Sequence, residues 1–154
     1  MAELQDREPY SYRSDPNVPA FDDSRPVAFM DGGCALCTFG ARTIARLDRK
    51  QEFRICPIQS PIGRAVLQHY GLDPSDPDSW LYLHDGSADT SLDAIIKVGG
   101  RLGGAGHVMS AFYVFPRPVR DWLYRRMARN RYRLFGRAEM CALPDPDLRS
   151  RLMH

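Results

Sequence analysis

The chain's most reactive residue types are gathered in Asp31-Gly32-Gly33-Cys34-Ala35-Leu36-Cys37. Two cysteines three residues apart stand where a short apolar run, Val27-Ala28-Phe29-Met30, gives way to a helical pattern. With a helix from about residue 34, Cys34 lies in its first turn and Cys37 almost one turn deeper on the same side. Their Cα atoms are then roughly 5–6 Å apart, within the range a disulfide requires. Cys34 also faces unpaired backbone N–H groups and the positive end of the helix dipole, which favour thiolate over thiol. Thiolate is the attacking species in disulfide exchange. The spacing therefore predicts a redox dithiol, with Cys34 as nucleophile and Cys37 as resolving thiol.

Asp31 has two readings. As a catalytic residue it accepts the proton that Cys37 or Cys34 must lose. As a structural residue it binds N–H groups of the Gly32-Gly33 turn or caps the helix. Its charge would raise a neighbouring thiol's pKa, so it does not activate Cys34 by charge alone. Cys56 falls in a predicted strand and reads as a small core residue. Cys141 lies in a polar, proline-containing stretch and reads as structural, with a third redox thiol as the alternative. A rival reading makes the protein a non-enzymatic module in which Cys34, Cys37, Cys56 and Cys141 bind zinc. Zinc ribbons and knuckles pair two close-spaced motifs, and Cys56 and Cys141 do not form one. No metal or other cofactor is expected.

Length and charge narrow the function classes. The 154 residues suit one domain with a substantial core. A formal net charge of +2 makes no case for nucleic acid as a partner. The charge is uneven, however, with ten Arg against four acids from Arg117 to His154. This basic C-terminal face is expected to be solvated, the rival being a protein or nucleic-acid contact. Four unevenly spaced cysteines do not make a secreted disulfide framework. Met1–Asp6 lacks the basic and apolar regions of a signal peptide. No apolar run approaches the ~20 residues of a membrane span. A cytoplasmic, normally reduced protein is expected, exchanging with disulfide-containing proteins or small thiols, served by an external thiol reductant, and without a membrane partner.

Around the dithiol, the periodicity predicts a definite element order. Residues 1–25 are polar, carry Pro9, Pro16 and Pro19, and read as a flexible arm that Tyr10, Tyr12 and Phe21 would pin to the surface. Val27–Met30 is apolar throughout, like a strand buried on both faces. The next helix carries Leu36, Gly40, Thr43, Ile44 and Leu47 at helical spacing. Phe53 and Ile55 alternate as in a strand. Ser60-Pro61 reads as N-cap and first helical residue, and Gly71 as the stop. Trp80–His84, Asp85-Gly86 and Ala88–Thr90 form a hairpin. Thr90-Ser91-Leu92-Asp93 has the spacing of an acidic capping box and opens a helix through about Leu102. Val108–Phe115 reads as a buried helix. After the Pro116-Arg117-Pro118 break, a helix over about 119–132 carries Val119, Trp122, Leu123 and Met127 on one face, expected to close the core. The order is β-α-β-α-β-β-α with additional C-terminal helices: an α/β, thioredoxin-like arrangement with the dithiol after the first strand. The domain is expected over 26–143, followed by a C-terminal tail over 144–154.

The chain resembles the DCC family, also called DUF393, of predicted thiol-disulfide oxidoreductases. Its Asp-x-x-Cys-x-x-Cys signature is matched by Asp31, Cys34 and Cys37. Further segments are similar to the family: Pro57-Ile58-Gln59-Ser60, the Ser91-x-Asp93-Ala94 helix start, Pro116-Arg117-Pro118, and Asn130-Arg131-Tyr132-Arg133-Leu134-Phe135-Gly136-Arg137 followed by Cys141. The resemblance implies a thioredoxin-like fold and disulfide exchange. Ordinary thioredoxins carry a cis-proline just before the strand that starts their hairpin half. Here Ser79 directly precedes Trp80, and Pro77 is the nearest proline.

Overall fold

The computed structural model describes residues 3–76 and 80–153, so Pro77 and Ser79 lie outside the described residues. Its centre is a four-stranded sheet in the order β2-β1-β3-β4, formed by β1 (Val27–Met30), β2 (Arg54–Pro57), β3 (Leu81–His84) and β4 (Ser87–Asp89). β1 and β2 run parallel, with Met30 opposite Pro57, while β3 runs antiparallel to both β1 and β4. The parallel pair needs a crossover, supplied by α1 (Ala35–Leu47). This is an α/β architecture consistent with a thioredoxin-like fold.

All four residues of β1 are buried, because both faces of the sheet are covered. Ala28 and Met30 join Ile55 and Tyr82 in a core closed by α1, α3 (Ser91–Leu102) and α4 (Arg117–Phe135). Val27 and Phe29 face the other way, into a core shared with Cys56, Leu81, Leu83 and α2 (Pro61–His69). The period-2 geometry of a strand thus feeds two cores from four consecutive apolar residues. Full burial of a side chain such as Phe29 contributes about 1.5–3 kcal/mol.

Local signals hold at several points. Ser60 caps α2 by accepting the Gly63 N–H at 3.0 Å, and Pro61 is its first residue. Asp85 and Gly86 both take positive φ, +47° and +77°, as a tight hairpin turn requires. The predicted capping box does not form. The Thr90 hydroxyl donates to the Trp80 carbonyl at 2.5 Å, and Asp93 pairs with Arg120, so both groups are committed elsewhere.

Two C-terminal expectations are corrected. Residues Gly104–Val114 form a 3-10 helix, not a buried α-helix, and Val114 is 83% exposed. Gly99 and Gly106 meet so closely that a Cβ on Gly106 would lie 2.2 Å from the Gly99 carbonyl oxygen. From that contact Gly106, Met109 and Phe112 follow one another at the three-residue period of a 3-10 helix and face the core. In α4 the expected face of Val119, Trp122 and Leu123 points outward, with Trp122 60% exposed. The buried stripe is Tyr124, Ala128 and Arg131, with Met127 at its border. α4 is turned this way because Arg131 reaches a buried acid.

The described parts of the N-terminal arm and of the C-terminal tail lie against this frame. In the arm, Tyr12 is buried, donates to Asp23 at 2.6 Å, and stacks on Phe21, which in turn meets Phe29 edge-on. Backbone bonds from Gln5 to Tyr70 and from Tyr10 to Gly86 tie it further. After α5 (Pro146–Arg149), Leu152 bridges to Ile55 at the β2 edge. Arg151 is buried against Asp48.

Candidate active site

The dithiol sits where β1 ends. Cys34 is the N-cap of α1, with extended backbone angles, and its Sγ accepts the Cys37 N–H at 3.4 Å. Both thiols are free. The expected order of depth is reversed. Cys34 has 0% exposure, whereas Cys37 is partly exposed. The cover over Cys34 is the chain that follows α4. Gly136 accepts from Ala35 N at 3.3 Å, Ala138 donates to Gly33 at 3.3 Å, and Met140 donates to Gly32 at 2.8 Å. Arg137 completes an isolated antiparallel bridge to Cys34. Cys37 is held as a thiol, its pKa pushed up to about 12 chiefly by burial, against which the Arg131 charge works.

Asp31 lies beneath this loop, 2% exposed. Its Oδ1 accepts from Gly33 N at 2.8 Å and from Gln59 Nε2 at 2.7 Å. Its Oδ2 accepts from Arg131 Nη2 at 2.6 Å and from the Tyr132 hydroxyl. Burial alone would raise this carboxyl, but hydrogen bonds from Tyr132, Gly33 and Gln59 and the charge of Arg131 hold it below the usual carboxylate range. A carboxylate offers about four lone-pair positions, and four donors occupy them.

Arg131, Tyr132 and Gln59 are site residues to which the sequence reading gave no role in the disulfide chemistry. Their signal was present, since all three stand in segments that carry the family resemblance. Arg131 is buried, and its Nε has no hydrogen-bond partner among the described residues. Burial works against its charge, but the Tyr132 hydrogen bond and the neighbouring Cys37, Asp31 and Cys34 keep it protonated. The Tyr132 ring has two cations near it, the Arg131 guanidinium at 5.0 Å and that of Arg137 at 4.6 Å from its centroid.

The other cysteines stay apart. Cys56 belongs to the core on the α2 side of the sheet, with its sulfur 3.2 Å from the Ser60 hydroxyl and its thiol pushed up by burial. Cys141 is exposed in the turn Met140–Ala142. Among the described residues, no three His, Cys, Asp or Glu side chains come together to hold a metal ion. The four cysteines therefore do not form the zinc site of the rival reading.

A profile of the DCC1-like thiol-disulfide oxidoreductase family matches residues 28–137, from the second residue of β1 to the bridge at Arg137. The chain belongs to this family. The DCC match spans Asp31, Cys34, Cys37, Gln59, Arg131 and Tyr132 alike. The uncharacterized protein YuxK of Bacillus subtilis is 34% identical over 127 residues, covering 82% of this chain and 93% of YuxK. A chloroplastic DCC family protein of Arabidopsis thaliana is 32% identical over 123 residues, covering 79% of this chain and 72% of that protein. No solved structure matches the chain. Among the described residues, no helix is long and apolar enough to cross a membrane.

Proposed function

We propose that the protein exchanges disulfides with a protein or small-molecule substrate through Cys34 and Cys37. The observation that carries this reading is the Cys34 sulfur at the N-terminus of α1, accepting the backbone N–H of Cys37, the second cysteine of the pair. Cys34 is the nucleophile and Cys37, protonated near neutral pH, the resolving thiol. The Cys34 thiolate attacks one sulfur of a substrate disulfide, the substrate S–S bond breaks, and the first substrate thiolate leaves and is protonated. Cys37 then loses its proton and attacks Cys34 Sγ, expelling the second substrate thiolate and closing the Cys34–Cys37 disulfide. The dithiol gives up two electrons and two protons in all. An external thiol reductant returns them.

Asp31 is a positioning residue in this scheme, not the base. Its lone pairs are filled, and it fixes both the Gly32-Gly33 turn and the Arg131 guanidinium beside the dithiol. Arg131 supplies the positive charge that the Cys37 thiolate needs during resolution.

Thiol counting by mass spectrometry across a series of redox buffers tests the couple, and a reversible two-electron Cys34–Cys37 transition is expected. With a protein disulfide as substrate, Cys34→Ser is expected to be inert and Cys37→Ser to accumulate mixed disulfides. Wild-type turnover in Cys34→Ser would remove the assignment.

A further inference from the structure

Among the described residues, nine of the eleven exposed large hydrophobic side chains lie between Val108 and Phe135. Exposed apolar side chains mark an interaction surface where they share one face of an element. On α4, Val119, Trp122, Leu123 and Leu134 recur at helical spacing on the side away from the buried Tyr124–Ala128–Arg131 stripe. Leu123 and Leu134 border one shallow, open depression together with Arg126 and Arg133. The helix carries seven arginines and one acid, Asp121. Arg117 and Arg120 pair with Asp93, and Arg131 faces inward to Asp31. Arg126 and Arg133 are exposed beside Leu123 and Leu134.

We propose that the outer face of α4 docks on an anionic membrane surface, its tryptophan and aliphatic side chains entering the headgroup boundary and its arginines meeting lipid phosphates. An interfacial helix has this composition: Trp and Leu beside Arg, with low overall hydropathy and no capacity to span. The expectation of no membrane partner rested on the absence of a spanning segment, which a helix lying in the interface does not need. A second copy of the chain is a poor occupant, because facing α4 helices would bring Arg126 and Arg133 against like charges. Extended peptides are captured by grooves or sheet edges, and these side chains project from the outside of a single helix. Leu134 and Phe135 directly precede Gly136, whose carbonyl accepts the Ala35 N–H beside Cys34. Docking therefore brings the dithiol close to the bilayer, a consequence that rests on the proposed disulfide chemistry although the binding itself does not.

Co-sedimentation of the full chain with vesicles tests this, comparing phosphatidylcholine alone with a phosphatidylcholine–phosphatidylserine mixture. Binding is expected to the anionic vesicles only, weakening with salt. Trp80→Phe leaves Trp122 as the sole tryptophan, and its emission is expected to shift to the blue on binding. Arg126→Gln and Arg133→Gln should each weaken binding about fivefold. Trp122→Ser together with Leu134→Ser should weaken it at least about tenfold. These variants are expected to keep the helical circular dichroism and the exchange rate with a small soluble disulfide, and Cys34→Ser should bind vesicles as wild type does. Equal binding to neutral and anionic vesicles, or none to either, overturns the proposal. So does a dimer that buries Trp122 in the absence of lipid, or salt-sensitive RNA binding lost in the arginine variants while vesicle binding is not. A wild type that binds vesicles but exchanges no disulfides would fail the disulfide reading alone.

Discussion

Arg131 Nη2 donates to Asp31 Oδ2 at 2.6 Å, both side chains are almost wholly buried, and the pair joins α4 to the loop that carries the dithiol. Neither charge would be tolerated alone at such depth, since each would lose its water without compensation. The pair therefore fixes the rotation of α4 about its axis, and with it the side of the helix that meets the core. The same contact places a cation beside two thiols that must pass through an anionic state.

The Asp31 carboxyl lies below its ordinary value in the folded protein, so its sign in acid is fixed. It contributes stability above the unfolded carboxyl pKa of about 3.9, and that contribution is lost as pH falls through the lower folded value. Asp31→Asn should be less stable than wild type at neutral pH, by about 3–5 kcal/mol if Arg131 is left buried without its partner. Its stability should then change less between pH 5 and the acid limit than that of wild type. Urea titrations of both proteins across this range check the slope.

Resolution by Cys37 separates the two roles open to Asp31. Loss of the Arg131 charge removes an influence that lowers the Cys37 pKa, so Arg131→Met should shift the pH profile of mixed-disulfide release upward. A shift of about one unit corresponds to about tenfold slower release at neutral pH, with the rates converging in strong alkali. Arg131→Lys, which keeps the charge, should recover part of that rate. Asp31→Asn removes a charge that raises the Cys37 pKa, so its profile should not move upward as that of Arg131→Met does. Rapid-quench measurement of attack and release in the three variants decides it, and a selective loss of release in Asp31→Asn alone would restore Asp31 as the base.

Much of this site was legible because it rests on local rules. The Cys34–Cys37 spacing, the apolar Val27–Met30 run, the Ser60-Pro61 cap and the Asp85-Gly86 turn are each decided within a few residues. The Asp31–Arg131 pair spans a hundred positions, and no periodicity reports a contact of that kind. Ranking α4 by hydrophobicity alone placed Trp122 inside, since an arginine is not expected to lead a buried stripe. The reversal of depth between Cys34 and Cys37 has the same origin. The cover over Cys34 comes from Gly136–Met140, a segment whose docking on Gly32–Ala35 is tertiary.

The rotation of α4 gives opposite expectations for two neighbouring aromatics. Trp122 is 60% exposed and Tyr124 6%. Trp122→Ser should therefore change stability by no more than about 0.5 kcal/mol, as surface substitutions do. Tyr124→Ala should cost about 3–5 kcal/mol, the range for removing a large aromatic from a core. Truncation after Pro116 removes Tyr124, Ala128 and Arg131 together and should lower the melting temperature sharply. Denaturant midpoints of the two point variants test the rotation directly, and equal losses would contradict it.

The cover over Cys34 should be measurable as a delay in alkylation. Cys141 is exposed and is expected to react first with iodoacetamide at neutral pH. Cys56 and Cys37 should lag, since burial pushes both thiols up and leaves little thiolate. Cys34 has a backbone donor aimed at its sulfur, but the reagent reaches it only when Gly136–Met140 lifts away. Its labelling should therefore follow the opening of that segment and stay slower than that of Cys141. Met140, with 0% exposure, anchors the segment, and a buried Met→Ala change costs about 2–5 kcal/mol. If even about 1.4 kcal/mol of that falls on local opening, Cys34 in Met140→Ala should label about tenfold faster, with Cys141 unchanged. Peptide mass spectrometry over a time course resolves the four sites. Wild-type Cys34 labelling as fast as Cys141 would mean that the segment does not guard the nucleophile.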